Sequence, residues 1–220
     1  MLTLSVAEKL LLTAAVAASI LLFWRRFGLI VSRLRTARPE PGYSSSVWTA
    51  HIWKFFSEVA LQSKVIRERP LPGLAHAFVF RGFCAFALVS LDELDHVGQL
   101  PASGYGWDLL PRETAFGHLY FGFVALFAIA VAISIAGLAI RRYVVRPRWL
   151  GPLAVESGVI AVLIFVLMLT YLLTYVWPED SVAGRLNWWA HTLAILGFLP
   201  LVPHTKHLHL ILSPAAILLK

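Results

Sequence analysis

Apolar residues dominate five stretches of the chain, near 4–24, 74–92, 115–140, 153–177 and 187–210, and charges, prolines and glycines gather between them. Each stretch is close to the roughly 20 residues that a ~30 Å hydrocarbon layer asks of a helix. The ~10-residue alternation of a membrane barrel strand is not seen. The pattern predicts an all-α membrane protein, one five-helix bundle over 1–220.

Composition agrees. The 220 residues are 59% hydrophobic, with mean hydropathy +0.74, too apolar for water to solvate most of the surface. A net charge of +7 would suggest nucleic acid in a soluble protein, but in a membrane protein its distribution orients the helices instead. No nucleic-acid role is expected. The 25–73 connection holds Arg25, Arg26, Arg33, Arg35, Arg38, Lys54, Lys64, Arg67 and Arg69, and the 141–148 loop holds Arg141, Arg142, Arg146 and Arg148. These segments are expected in the cytoplasm. The opposite loops, with Asp92, Glu93, Asp95, Asp108, Glu113, Glu179 and Asp180, belong outside, which puts the amino terminus out and the carboxy terminus in.

Leu10 to Trp24, followed by Arg25 and Arg26, reads as a retained helix rather than a signal peptide. Within the long basic loop, Val47 to Val65 alternates aromatics with charges and predicts an interfacial helix on lipid, with docking of a soluble partner as the other use of that face. Arg69-Pro70-Leu71-Pro72-Gly73 is expected to stop an element before the second span. Cys84 is the only cysteine, so any iron–sulfur cluster is expected in a partner.

Most of the eight histidines lie in or at the edge of a span, where an ionisable group is costly and usually functional or paired. His191 and His209 are 18 positions apart and share a face if the fifth helix is continuous. At about 1.5 Å per residue they stand roughly 27 Å apart, one near each side of the bilayer. Pro200 and Pro203 can shift that phase, so His207 stays open as an alternative to His209. A haem held by two imidazoles needs a second histidine at matching depth. His76 matches His209 and His118 matches His191, which gives two candidate haem b sites. Gly122 and Gly82 are expected to leave room for the macrocycles. His51, His96 and His204 read as solvated or snorkelling residues.

Arg141, Arg142 and Lys206 are candidate propionate partners, although inner-face charges need no such role. Arg81, inside the second span, either snorkels or meets a propionate or acid. Asp92, Glu93, Asp95 and His96 could form a quinone or proton region, or a solvated loop.

Trp188-Trp189-Ala190-His191 and Pro203-His204-Thr205-Lys206-His207-Leu208-His209 resemble the last helix of the nitrate reductase gamma subunit family, and the resemblance covers most of the chain. With Arg69 to His76 before the second helix, it is nearest the membrane domain of heterodisulfide-reductase-like and electron-transfer-flavoprotein:quinone iron–sulfur oxidoreductases. The resemblance implies a five-helix dihaem cytochrome b of a bacterial or archaeal cytoplasmic membrane. It implies electron transfer between cytoplasmic iron–sulfur clusters and menaquinone or ubiquinone, with a separate or fused cluster-bearing region, or an electron-transfer flavoprotein, as partner. By position, His76 and His209 match the inner ligands and His191 one outer ligand. Phe86 stands where the other outer ligand is expected, so His118 must replace it for a second haem to be held. The rival readings are a haem-free anchor for a soluble enzyme and a proton-conducting transporter.

Overall fold

The computed structural model describes residues 4–37, 48–97, 110–178 and 180–218, and among them the regular structure is entirely helical. The α-helices are α1 (Val6–Arg35), α2 (Trp48–Phe55), α3 (Ser63–Glu68), α4 (Pro70–Val97), α5 (Ala115–Ile140), α6 (Val155–Leu173), α7 (Val182–His204) and α8 (His209–Leu218). Single π turns follow α2 at Phe56–Ala60 and α5 at Arg141–Val145.

Local chemistry sets the ends. Ser5 and Glu8 form a reciprocal capping box at α1. Thr114 and Ser181 accept from the Gly117 and Gly184 amides at the starts of α5 and α7. Helix α4 begins at Pro70, whose missing N–H costs nothing in a first turn. As expected, an element stops here before the second span: α3 ends at Glu68, Arg69 leaves the helical region (φ −146°, ψ 83°), and Pro70–Gly73 already starts α4, where Gly73 shows why the corner is built as it is. A Cβ there would stand 2.5 Å from the Val65 carbonyl oxygen and 2.7 Å from Ile66 Cα, so glycine lets α4 lie directly on the backbone of α3.

Four helical segments are long and apolar enough to cross a membrane: Val6–Arg35, Pro70–Ser90, Ala115–Val145 and Val155–Leu173. They coincide with four of the five expected spans. Helix α1 runs beyond its expected end through Arg25 and Arg26 to Arg35. The fifth expected span, 187–210, is not one helix. Helix α7 ends at His204, Thr205 is extended (φ −126°, ψ −177°), a 3-10 turn spans Lys206–Leu208, and α8 starts at His209. The 23 residues of α7 rise about 35 Å, but Arg185, Asn187, His191 and two prolines lower its apolar character below that of the other four. The break also removes the premise of a common face for His191 and His209.

Packing runs α4 on α5, α5 on α6, α6 on α7 and α7 on α1, with α3 against α4 and α2 against α8. The core lies in the α4–α5–α6 part, where Val89, Leu110, Phe121, Val124, Ala128, Val131, Met168 and Tyr171 are buried together. Gly82 belongs to that packing. A Cβ on it would collide with Val131 Cγ2, so its role is close approach of α4 to α5, not the room for a macrocycle expected of it. A Cβ on Gly122 would meet nothing within 4 Å.

Pro200 explains a contact between α1 and α7. Proline has no N–H to give the Leu196 carbonyl four residues earlier, and a bare carbonyl in hydrocarbon is costly. Buried Ser19 of α1 donates to that carbonyl at 2.7 Å. At the far end of the same pair, Arg185 meets Glu8 in a two-pronged ion pair, and Trp189 Nε1 donates to Glu8 at 3.2 Å. The single turns at 56–60 and 141–145, with α2 and α3, replace the one interfacial helix expected over 47–65 and the plain loop expected after 140. Trp53, Ile52 and Phe56 of that region remain exposed.

Candidate functional site

One end of the bundle carries the start of α4, the ends of α1, α5 and α7, and α8, together with most of the arginines. At this basic end the rings of His76 (α4) and His209 (α8) lie 6.1 Å apart between centroids, inclined by 32°. Both rings have Nδ1 engaged. His76 Nδ1 donates to Gln62 Oε1 at 2.9 Å, and His209 Nδ1 donates to the Lys206 carbonyl at 2.6 Å. Each imidazole is thereby fixed in the tautomer with a bare Nε2 lone pair, the form that binds a metal.

Gln62 was not legible in sequence. It is 6% exposed and sits in the left-handed region (φ 52°), a conformation that costs a non-glycine residue roughly 1 kcal/mol or more. The turn it makes, between the π segment and α3, aims its amide at His76. Arg81 holds the same turn, donating to the carbonyls of Ala60 (3.4 Å) and Leu61 (3.2 Å). Its Nε and one terminal nitrogen are thus engaged by backbone oxygens. Arg142 likewise binds the carbonyls of Leu150 and Pro152, both at 2.6 Å, tying down the turn before α6. Arg141 opens the neighbouring π segment, and Lys206 is exposed.

His207 lies 6.0 Å from His209 and bonds Thr205 Oγ1 through Nδ1 at 3.1 Å, and the ring facing His76 at 6.1 Å is that of His209. His204 is exposed, with Nδ1 on the Pro200 carbonyl at 2.8 Å.

The expected outer pair is not brought together. His118 is an exposed residue of α5, whose close neighbours are α4 and α6, and among the described residues no ring or hydrogen-bond contact joins it to His191. His191 instead gives Nδ1 to Thr170 Oγ1 at 2.7 Å, while that hydroxyl donates to the Val166 carbonyl. Asn187, one turn earlier and 5% exposed, donates to the Thr170 carbonyl at 2.8 Å, and its buried Oδ1 has no hydrogen-bond partner among the described residues. Phe86, at the position where the resemblance expects a ligand, packs edge-on against Tyr171 at 4.9 Å. The region that would carry a second haem is thus largely apolar core. Asp92, Glu93, Asp95 and His96 fall in the last turns of α4, and their side chains lie outside the described residues.

The donor set at the basic end suits a particular kind of metal site. A metal bound by protein alone takes four or more ligands, and among the described residues no group of three or more histidine, cysteine or acidic side chains gathers for one. Two imidazoles suffice when a macrocycle supplies the equatorial nitrogens. With about 2 Å per metal–nitrogen bond, two imidazoles on one iron have ring centroids about 6 Å apart, the spacing of His76 and His209.

The chain is 28% identical over 184 residues to a protein of Bacillus subtilis (strain 168) named as a probable iron-sulfur-binding oxidoreductase, FadF, covering 71% of this chain and 25% of that protein. It is 27% identical over 203 residues to the EtfAB:quinone oxidoreductase of Syntrophomonas wolfei subsp. wolfei (strain DSM 2245B / Goettingen), covering 74% of this chain and 27% of that protein. No family model matches, and no solved structure matches. The chain spans about a quarter of the length of these two distant relatives, one named for iron–sulfur binding and the other for quinone oxidoreduction.

Proposed function

We propose that this chain is the membrane electron-transfer part of an iron–sulfur, quinone-linked oxidoreductase, and that His76 and His209 hold a b-type haem at its basic end. The observation that carries this reading is the facing pair of imidazoles, both with Nδ1 on an acceptor and Nε2 bare. The relatives support the electron-transfer setting through what their names say of them. Helix α7 is the fifth crossing in this reading, and the arginine-rich end faces the cytoplasm. The cluster donor belongs to a partner or a fused region, because a single cysteine cannot hold one.

His76 and His209 would hold the haem through their bare Nε2 atoms, and the bound group would supply one-electron redox chemistry. The residues of this chain do the rest. Gln62 and the Lys206 carbonyl hold the two rings and raise their basicity, and Arg81 fixes the turn from which Gln62 reaches His76. Asp92, Glu93, Asp95 and His96, at the opposite end of α4, are the candidate groups for exchanging quinone protons with water.

The test is a reduced-minus-oxidised spectrum with haem quantitation on the purified full chain. A b-type band is expected, lost in His76→Ala and in His209→Ala and kept in His118→Ala. Haem-replete protein with no such band would leave the haem-free anchor as the better account. Requirement for His207 in place of His209 would move the ligand by two positions.

A further inference from the structure

At the basic end a shallow cavity of about 270 Å³ opens between α1 and the last turn of α7, lined by Leu22, Arg25, Arg26, Leu29 and His204. Neither of the histidines proposed to hold haem lines it. Two cations line it. Both arginines are exposed, and among the described residues neither guanidinium meets a carboxylate or a carbonyl. Arg81 and Arg142 spend their donors on backbone carbonyls, whereas among the described residues Arg25 and Arg26 do not.

The depth of the cavity selects the ligand. Twenty residues of helix from Val6 rise about 30 Å, the thickness of the hydrocarbon layer, and so end at Arg25. Trp24, 60% exposed, marks the same level as an interfacial aromatic. On the hydrocarbon side Leu21 and Leu22 are 70% and 49% exposed, and α1 packs closely on α7 alone, which leaves a lipid-facing wall running down from the two guanidinia. The site is therefore cationic at headgroup level and apolar below it.

We infer that this cavity binds the phosphate of an anionic phospholipid, its acyl chains lying along Leu21 and Leu22. A guanidinium presents paired N–H donors that match phosphate oxygens. A zwitterionic headgroup brings its own cation next to its phosphate and offers no net charge to two adjacent arginines. Phosphatidylglycerol does. A free phosphate would satisfy the guanidinia but make no use of the leucine wall. Because α1 is held to α7 by Ser19 in mid-span and by Glu8 at the far end, the bound lipid completes that helix pair at its third level.

The experiment uses the full chain in maltoside micelles doped with phosphatidylglycerol or phosphatidylcholine, read by retained lipid in native mass spectrometry and by thermal unfolding. Phosphatidylglycerol is expected to be retained and to raise the melting temperature, and phosphatidylcholine is not. At about fivefold per arginine near a membrane surface, Arg25→Gln with Arg26→Gln is expected to weaken retention roughly 25-fold. Arg33→Gln with Arg35→Gln removes the same charge from the last turn of α1, outside the cavity, and should leave it near the parent value. Leu22→Trp fills the cavity with all charges kept and should also abolish the preference. Equal loss in the two double variants would reduce the effect to diffuse charge and overturn the site. Equal retention of the two lipids, an undiminished preference in Leu22→Trp, or protection by inorganic phosphate alone matching that of phosphatidylglycerol would overturn the lipid assignment.

Discussion

At the basic end two imidazoles from separate elements face each other with their Nδ1 atoms on acceptors, whereas in the other half of the bundle His191 turns onto Thr170 and Phe86 closes against Tyr171. The difference follows from the kind of backbone at each level. The basic end is assembled from short pieces: a π turn, α3, a 3-10 turn and α8. Such pieces can place Gln62, His76 and His209 at one level because each break re-aims the chain. The opposite half is made of long continuous helices whose side chains close on one another, and His118 is left on an outer face of α5. Ligands at matching depth are therefore necessary but not sufficient; their helices must also turn them inward together.

The comparison breaks most sharply at the ligands. His76→Ala and His209→Ala are each expected to abolish the b-type absorbance, while His118→Ala and His191→Ala leave it, with one haem per chain by pyridine haemochrome assay. Two haems per chain, one of them lost with His118 or His191, would show that the second half also assembles a site.

Loss of the acceptor behind a ligand is a smaller perturbation. Gln62→Leu is expected to lower haem affinity by about 10–100-fold, the usual range for a group that orients a metal-binding histidine. Haem titration of the apoprotein measures it, and a shift in midpoint potential should accompany it. Gln62→Glu, which keeps an acceptor for Nδ1, should restore most of the affinity.

The packed half responds in stability instead. Gly82→Ala forces a methyl into Val131 and should cost about 1–3 kcal/mol. Gly122→Ala, which meets nothing within 4 Å, should cost little, and thermal unfolding separates the two. Ser19→Ala strips the Leu196 carbonyl of its substitute donor and should cost about 1 kcal/mol, near the average for hydrogen bonds between membrane helices. Unchanged melting in Ser19→Ala together with Pro200→Ala would be consistent with repair of that carbonyl by the restored N–H.

Much of this was legible beforehand, for identifiable reasons. Helix α5 falls at Ala115–Ile140, the stretch read from hydropathy, because a run of apolar residues bounded by Thr114 and Arg141 fixes its own length. The approach of His76 to His209 was expected from depth, yet the argument from helical phase fails, since the chain breaks at Thr205. The pairing of His118 with His191 was equally reasonable by depth and is not assembled. Gln62, Thr170 and Asn187 gave little signal: their roles rest on a left-handed turn and on neighbours far along the chain.

Apolarity and charge along the chain sufficed to place four long helices and the basic end, because these are local properties that hydrocarbon and headgroups read directly. Only the tertiary structure decided which histidine meets which, because a single break or one unusual backbone angle rotates everything after it. Hydrophobic pattern is insensitive to that rotation, and a metal site is not.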